Sequence, residues 1–156
     1  MKILIVNENN FFQKNFKSKN IKCFHITNKK KFSINTIKKI NPDIIFFPHW
    51  HWKIEPEIFN HFLCIGFHCS SLPQGRGGSP IQNQIIREKK VTELCAIKFN
   101  NIIDGGPVYL RKKFKLNGSA NEIFFRLYKD ISYMINKLVK KLPTPIPQKG
   151  RVKFFK

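Results

Sequence analysis

The string His68-Cys69-Ser70-Ser71-Leu72-Pro73 follows an apolar run, 62–67, that reads as a buried strand. A histidine at the carboxyl end of such a strand stands where a general acid or base works. It could equally be a structural histidine held by its hydrogen bonds. Asp104, in Asp104-Gly105-Gly106-Pro107, is one of only nine acids, set against 29 Lys and Arg. Alone it reads as a turn aspartate. Between the two runs Gln74-Gly75-Arg76-Gly77-Gly78-Ser79-Pro80. Its glycines permit close backbone approach, and Ser79-Pro80 opens a helix whose N-terminus suits an anion. The spacing fits neither a P-loop nor a dinucleotide fingerprint.

A second cluster is Pro48-His49-Trp50-His51-Trp52-Lys53-Ile54, with both tryptophans of the chain and two of its five histidines. It follows the apolar run 44–47. Either it walls a site for a flat ligand, or its indoles fill the core while its histidines are solvated. No G-x-S-x-G is present, so a serine hydrolase elbow is not expected. Glu55 and Glu57 would point to different sides of a helix, which argues against paired glycosidase carboxylates. Cys23, Cys64, Cys69 and Cys95 lack C-x-x-C spacing. They read as reduced thiols, and no metal is expected. Cys69 follows His68 and on a strand points the other way, so it is not the nucleophile expected here.

These residues must be positioned by the elements around them. Strands are expected at 3–6, 22–26, 44–47, 62–67, 92–99 and 107–114. Helices are expected at 11–19, 33–40 with Ser33 as cap, 55–61, 79–87 and from Glu122 to about Lys141. Ser119-Ala120-Asn121-Glu122 is a capping box for the last of these. Strands alternating with helices imply an α/β fold with a mostly parallel sheet, and ligands then bind beyond the carboxyl ends of the strands. Pro143, Pro145 and Pro147 stop the long helix, so a core over 1–142 and a Pro-rich tail over 143–156 are expected. Its last stretch, 151–156, is read as an edge strand or as disordered.

A formal charge of +20 on 156 residues invites a nucleic-acid reading. Lys, Ile, Phe and Asn, all encoded by A/T-rich codons, make up 77 of the 156 residues. Much of the charge is therefore read as codon bias. There is no long polar tract, no apolar run of about 18 residues and no signal-like N-terminus. One cytoplasmic domain without a membrane partner is expected.

Taken together, FHCSSLPQGRGGSPIQNQ and IIDGGPVYL resemble the 10-formyltetrahydrofolate-dependent formyltransferases. That family includes glycinamide ribonucleotide, methionyl-tRNA and nucleotide-sugar formyltransferases. Its pattern is Asn-x-His, Ser-Leu-Leu-Pro and Arg-Gly, then a distant Asp. Here His68, Ser71-Leu72-Pro73, Arg76-Gly77 and Asp104 match it, and PDIIFFPHWHWKIEPEIF matches the family's preceding strand and turn. The position of the family's Asn is Gly66. The resemblance implies that Asn83, Ser70 or a backbone amide stands in for it, that the subfamily works without it, or that activity is lost.

The resemblance implies a Rossmann-like core with His68 and Asp104 as the catalytic pair. It implies 10-formyltetrahydrofolate held along Phe47, His49, Trp50, Trp52 and Ile54. It also implies an acceptor held by Arg76, Gly77, Gly78 and Asn83. GRGGSPIQNQ and the HW-x-W tract look most similar to the nucleotide-sugar branch, with surface polysaccharide synthesis as the setting. With no room after residue 156 for a tRNA-binding domain, a nucleotide-linked amino sugar is the expected acceptor. Alternatives are a methionyl-tRNA formyltransferase-like enzyme, or a degenerate nucleic-acid-binding module on the same scaffold. A homodimer is left open.

Overall fold

A computed structural model describes residues 1–15 and 20–155. The strands are β1 (Lys2–Val6), β2 (Lys22–Ile26), β3 (Ile44–Phe47), β4 (Cys64–His68), β5 (Gln74–Arg76), β6 (Val91–Lys98), β7 (Val108–Lys115) and β8 (Lys153–Phe154). The helices are α1 (Phe11–Asn15), α2 (Ile34–Ile40), α3 (Pro56–His61), α4 (Pro80–Ile86) and α5 (Ala120–Lys140). One sheet has the order β2-β1-β3-β4-β6-β7, and β5 pairs with β8 in a second. All pairings are parallel through β2, β1, β3 and β4, while β6 and β7 are antiparallel. This is the expected mostly parallel α/β architecture. The expected helix over 11–19 is present as α1, and its remainder, 16–19, lies outside the described residues, as does Lys156 of the tail.

The chain divides into two compact units, Met1–Gly66 and Phe67–Lys156. In the first, Ile3–Val6 and Ile44–Phe47 are buried throughout. Continuous apolar runs of this kind are what strands covered on both faces require. Each such side chain contributes roughly 1.5–3 kcal/mol on burial. Ser33 caps α2 by accepting from the Thr36 amide, and Asn41 ends it in the left-handed conformation at φ 48°. Buried Asn7, at the end of β1, donates its side-chain amide to the Pro48 carbonyl, which follows β3. Both strands' carboxyl ends are thereby tied together.

In the second unit α5 is a 21-residue helix. Ile123, Leu127, Ile131, Met134, Ile135 and Leu138 form its buried stripe, at the three-and-four spacing a core-facing helix needs. Ser119 and Glu122 make both bonds of the capping box, which is worth about 1 kcal/mol. Leu72, Cys95, Ile97 and Val108 form a further apolar cluster, with Phe99 against it. The segment after α5 is held to this unit by main-chain bonds. Ile146 exchanges two backbone bonds with Val108, both 2.8 Å, and the Phe155 amide donates to the Arg76 carbonyl at 2.9 Å.

β5 was not anticipated. Its three residues, Gln74-Gly75-Arg76, include a glycine and show no apolar period, so pattern gives no strand there. It exists because β8 supplies a partner from 77 or more residues away, with Gln74 beside Lys153 and Arg76 beside Phe154.

Candidate active site

His68 ends β4 and is 7% exposed. Its Nε2 lies 2.7 Å from the Gly75 carbonyl oxygen. A carbonyl only accepts, so Nε2 carries the proton. The same oxygen accepts from the Ser70 hydroxyl at 2.9 Å. The other ring nitrogen, Nδ1, is 3.5 Å from Asp104 Oδ2. That contact becomes an ion pair when Nδ1 is protonated. Two residues 36 positions apart thus meet, as the sequence reading expected.

Asp104 is placed by the loop between β6 and β7. Its backbone is left-handed, φ 49°, which the side chain of a non-glycine residue tolerates only when the surroundings hold it. A side chain on Gly106 would run into the Lys98 carbonyl, so the turn requires glycine there. Asp104 Oδ2 also accepts from the Gly77 amide at 2.9 Å. A charge-assisted bond of this kind anchors the carboxylate beside the imidazole.

Other expected residues are placed differently. Arg76 was expected to meet an acceptor's phosphates. It is 8% exposed, and its Nε and Nη2 donate to Gln148 Oε1 at 3.2 and 2.8 Å. Gly77 contributes its amide to Asp104 rather than an open surface. Nothing lies within 4 Å of a Cβ built on Gly78, so nothing in its surroundings calls for glycine. Asn83 is half-buried and donates to the Gly78 and Ser79 carbonyls, while its oxygen accepts from Arg87. Ser70 donates to the Gln74 and Gly75 carbonyls. Neither Ser70 nor Asn83 therefore holds a spare donor to replace the side chain missing at Gly66. Helix α4 is only seven residues, and Ser79 makes no side-chain cap.

Sequence reasoning missed Gln148. Its Nε2 donates to the Asp104 and Gly106 carbonyls at 2.7 and 2.9 Å, while Oε1 takes both bonds from Arg76. No spacing in the sequence marks it. Its only signal is its place directly after Pro147, at the end of a proline-restricted run.

In the first unit the tract at 47–54 separates into two groups. Trp50 and Trp52 line a cavity of about 220 Å³ with Phe32, Lys29 and Lys53. The Trp50 Nε1 atom is buried and has no hydrogen-bond partner among the described residues. Lys29 Nζ sits 3.8 Å over the Trp52 ring, and Trp52 Nε1 donates to Glu8. Phe47 is 1% exposed and packs edge-on against Phe32, so it is a core ring behind the wall. His49 and Ile54 are not among the residues that line this cavity. Burial, and secondarily the neighbouring His51, lower the pKa of His49 below the ordinary imidazole value.

All four cysteines are free thiols. Burial pushes Cys64 up to about 12 and raises Cys69 still further, which rules against a thiolate next to His68. Among the described residues, no group of three or more His, Cys, Asp or Glu could hold a metal ion. Among them too, no helix is long and apolar enough to cross a membrane.

No protein-family model matches the chain. Similarity to individual proteins is clear. A methionyl-tRNA formyltransferase from Clostridium thermocellum superposes with TM-score 0.92 at 40% identity, covering 99% of this chain and 71% of that one. The methionyl-tRNA formyltransferase of Thermodesulfovibrio yellowstonii is 31% identical over 131 residues, 78% of this chain and 42% of that protein. The formyltransferase PseJ from Anoxybacillus kamchatkensis, solved with a formamido sugar nucleotide and tetrahydrofolate, shares the fold at TM-score 0.76 and 18% identity. It covers 99% of this chain and 85% of that one. The chain spans between 27% and 46% of the length of the curated relatives it matches.

Proposed function

Since the chain belongs to the 10-formyltetrahydrofolate-dependent formyltransferase family, we propose that it moves a formyl group from that donor to the amine of an aminoacyl-tRNA. The observation that carries this reading is the His68–Asp104 pair, a buried imidazole and a half-buried carboxylate held at 3.5 Å by bonds to Gly75 and Gly77. The nucleotide-linked amino sugar, preferred on sequence grounds, falls behind its alternative. Similarity at 31% and 40% identity is to methionyl-tRNA formyltransferases, against 18% to an enzyme solved with a sugar nucleotide. A charge of +20 suits a polyanionic acceptor, whatever its codon origin.

The donor, when bound, supplies an electrophilic formyl carbon. The residues of this chain handle protons and charge. An acceptor ammonium must lose a proton before it can attack, and Asp104 Oδ2 takes it. Nδ1 of His68, 3.5 Å away, is the next station for that proton. A ring so charged offers the positive field that the developing oxyanion needs and passes its proton to the leaving nitrogen, after which Asp104 takes the second proton of the attacking nitrogen and gives it up to solvent. Gly66 adds no donor, so His68 carries more of this work than it would beside an Asn. Trp50 and Trp52 would hold the flat rings of the donor. Their cavity and the unpartnered indole nitrogen support that, and its size suits a ring system rather than a whole folate.

The test incubates the chain with 10-formyltetrahydrofolate and charged initiator tRNA, with a panel of amino-sugar nucleotides in parallel. Formyl-methionyl-tRNA is expected, at a rate that falls steeply with added salt. Formylation of a sugar nucleotide alone would overturn the acceptor. No turnover on either would overturn the enzyme and favour a binding module in which Gly66 marks lost activity.

A further inference from the structure

Gln148 makes four hydrogen bonds with one amide group, and all of them bear on Asp104. Nε2 gives its two protons to the carbonyls of Asp104 and Gly106, at 2.7 and 2.9 Å. Oε1 accepts twice from the buried Arg76 guanidinium. The residue after Arg76 is Gly77, whose amide binds the Asp104 carboxylate. The bonds close a ring. Arg76 holds Gln148, Gln148 holds the backbone of Asp104, and the carboxylate of Asp104 is held by the amide next to Arg76.

We propose that Gln148 is a positioning residue for the His68–Asp104 pair. This rests on the formyl-transfer reading above. Gln148 has no titrating group, and its amide is fully occupied, so it acts only through Asp104. Its two donor bonds clamp the carbonyls of Asp104 and of Gly106, two residues on, in a turn whose first residue sits at φ 49°. Releasing them lets the Asp104 backbone rotate, and the carboxylate then swings away from Nδ1. The approach of Gln148 is itself fixed. Pro143, Pro145 and Pro147 restrict the preceding backbone, and Ile146 exchanges two main-chain bonds with Val108. The proline-rich segment thus delivers one side chain to the loop that aims the catalytic carboxylate.

The decisive variant is Gln148→Glu. It keeps an oxygen for Arg76 but replaces both carbonyl-directed donors with an acceptor. We expect a thermal midpoint near the parent's, kcat down by about 10- to 100-fold, KM for donor and acceptor within about threefold, and a changed acid limb of the pH–rate profile. A folded variant with the parent's kcat and pH profile would overturn the proposal.

Two-bond 1H–15N correlations of the His68 ring, assigned with His68→Gln, give a readout that needs no activity. The Nδ1 resonance should move in Gln148→Glu; an unmoved one overturns the proposal even if the parent formylates nothing. Should Gln148→Glu fail to fold, the double variant Arg76→Met, Gln148→Met removes the buried charge together with its partner and carries the same two measurements.

Discussion

A single oxygen of Asp104, Oδ2, lies 3.5 Å from His68 Nδ1 while accepting the Gly77 amide at 2.9 Å. The amide fixes where the carboxylate sits, and the imidazole supplies what it acts upon. The two residues should therefore fail together. His68→Ala and Asp104→Asn are each expected to lower formyl-transfer turnover by at least about 100-fold, with far-UV circular dichroism unchanged. The double variant should be little worse than either single one, because the groups work as a unit. Near-full activity in either single variant would remove the pair from the mechanism.

Gly66 lies two residues before His68, on the same face of β4. Its backbone is not among those with positive φ, so a side chain is conformationally allowed. Gly66→Asn would add an amide donor where Ser70 and Asn83 provide none. Turnover is expected to rise by about tenfold or more, with KM little changed, since an oxyanion donor acts in the transition state. A fall in turnover by a well-folded Gly66→Asn would mean that the site uses the space differently.

Two glycines near the site make a matched pair of stability tests. Gly106→Ala sets a methyl group against the Lys98 carbonyl and forces the Asp104 turn to shift. A loss of about 2 kcal/mol or more is expected in urea unfolding, together with lost turnover. Gly78→Ala meets nothing within 4 Å and should change stability by less than about 0.5 kcal/mol. Equal losses at both positions would contradict the geometry of the loop.

Burial sets the chemistry of the thiols. Cys23 and Cys95 are pushed up to about 11 and Cys64 to about 12, while Cys69 lies higher still. A raised thiol pKa leaves almost no thiolate at pH 8. Titration with a disulfide reagent at that pH should find essentially no fast-reacting thiol in the native chain, and four after denaturation. A rapid native reaction that the Cys69→Ser variant abolishes would show a reactive thiol beside His68.

Much of this fold is legible because apolar runs and caps are local signals. Lys22–Ile26 and Ile44–Phe47 are strands at the limits the sequence suggests, and Ser33 and Ser119 cap as their neighbours imply. The pairing of His68 with Asp104 came from motif resemblance, since no periodicity relates residues 36 apart. What stayed illegible depends on partners distant in sequence. Arg76 in a glycine-rich string looks like an open anion site. Only the fold brings it a half-buried amide from 72 positions away. Phe47 looks like part of one wall with Trp50 and Trp52, yet β3 is buried along its whole length and takes Phe47 into the core. Length drew the expectation toward a small acceptor, while charge, discounted as codon bias, pointed toward a polyanion; neither depends on the geometry of the site.

Strand β7 ends the order of the main sheet, and along it Arg111, Lys113 and Lys115 are exposed at every second position. A second molecule docking there edge to edge would bring its own row of like charges into register with this one. Repulsion of that sort discourages the stacking of sheets into fibrils. The basic residues of β7 thus also discourage self-assembly along the part of this edge beyond Val108, which Ile146 covers.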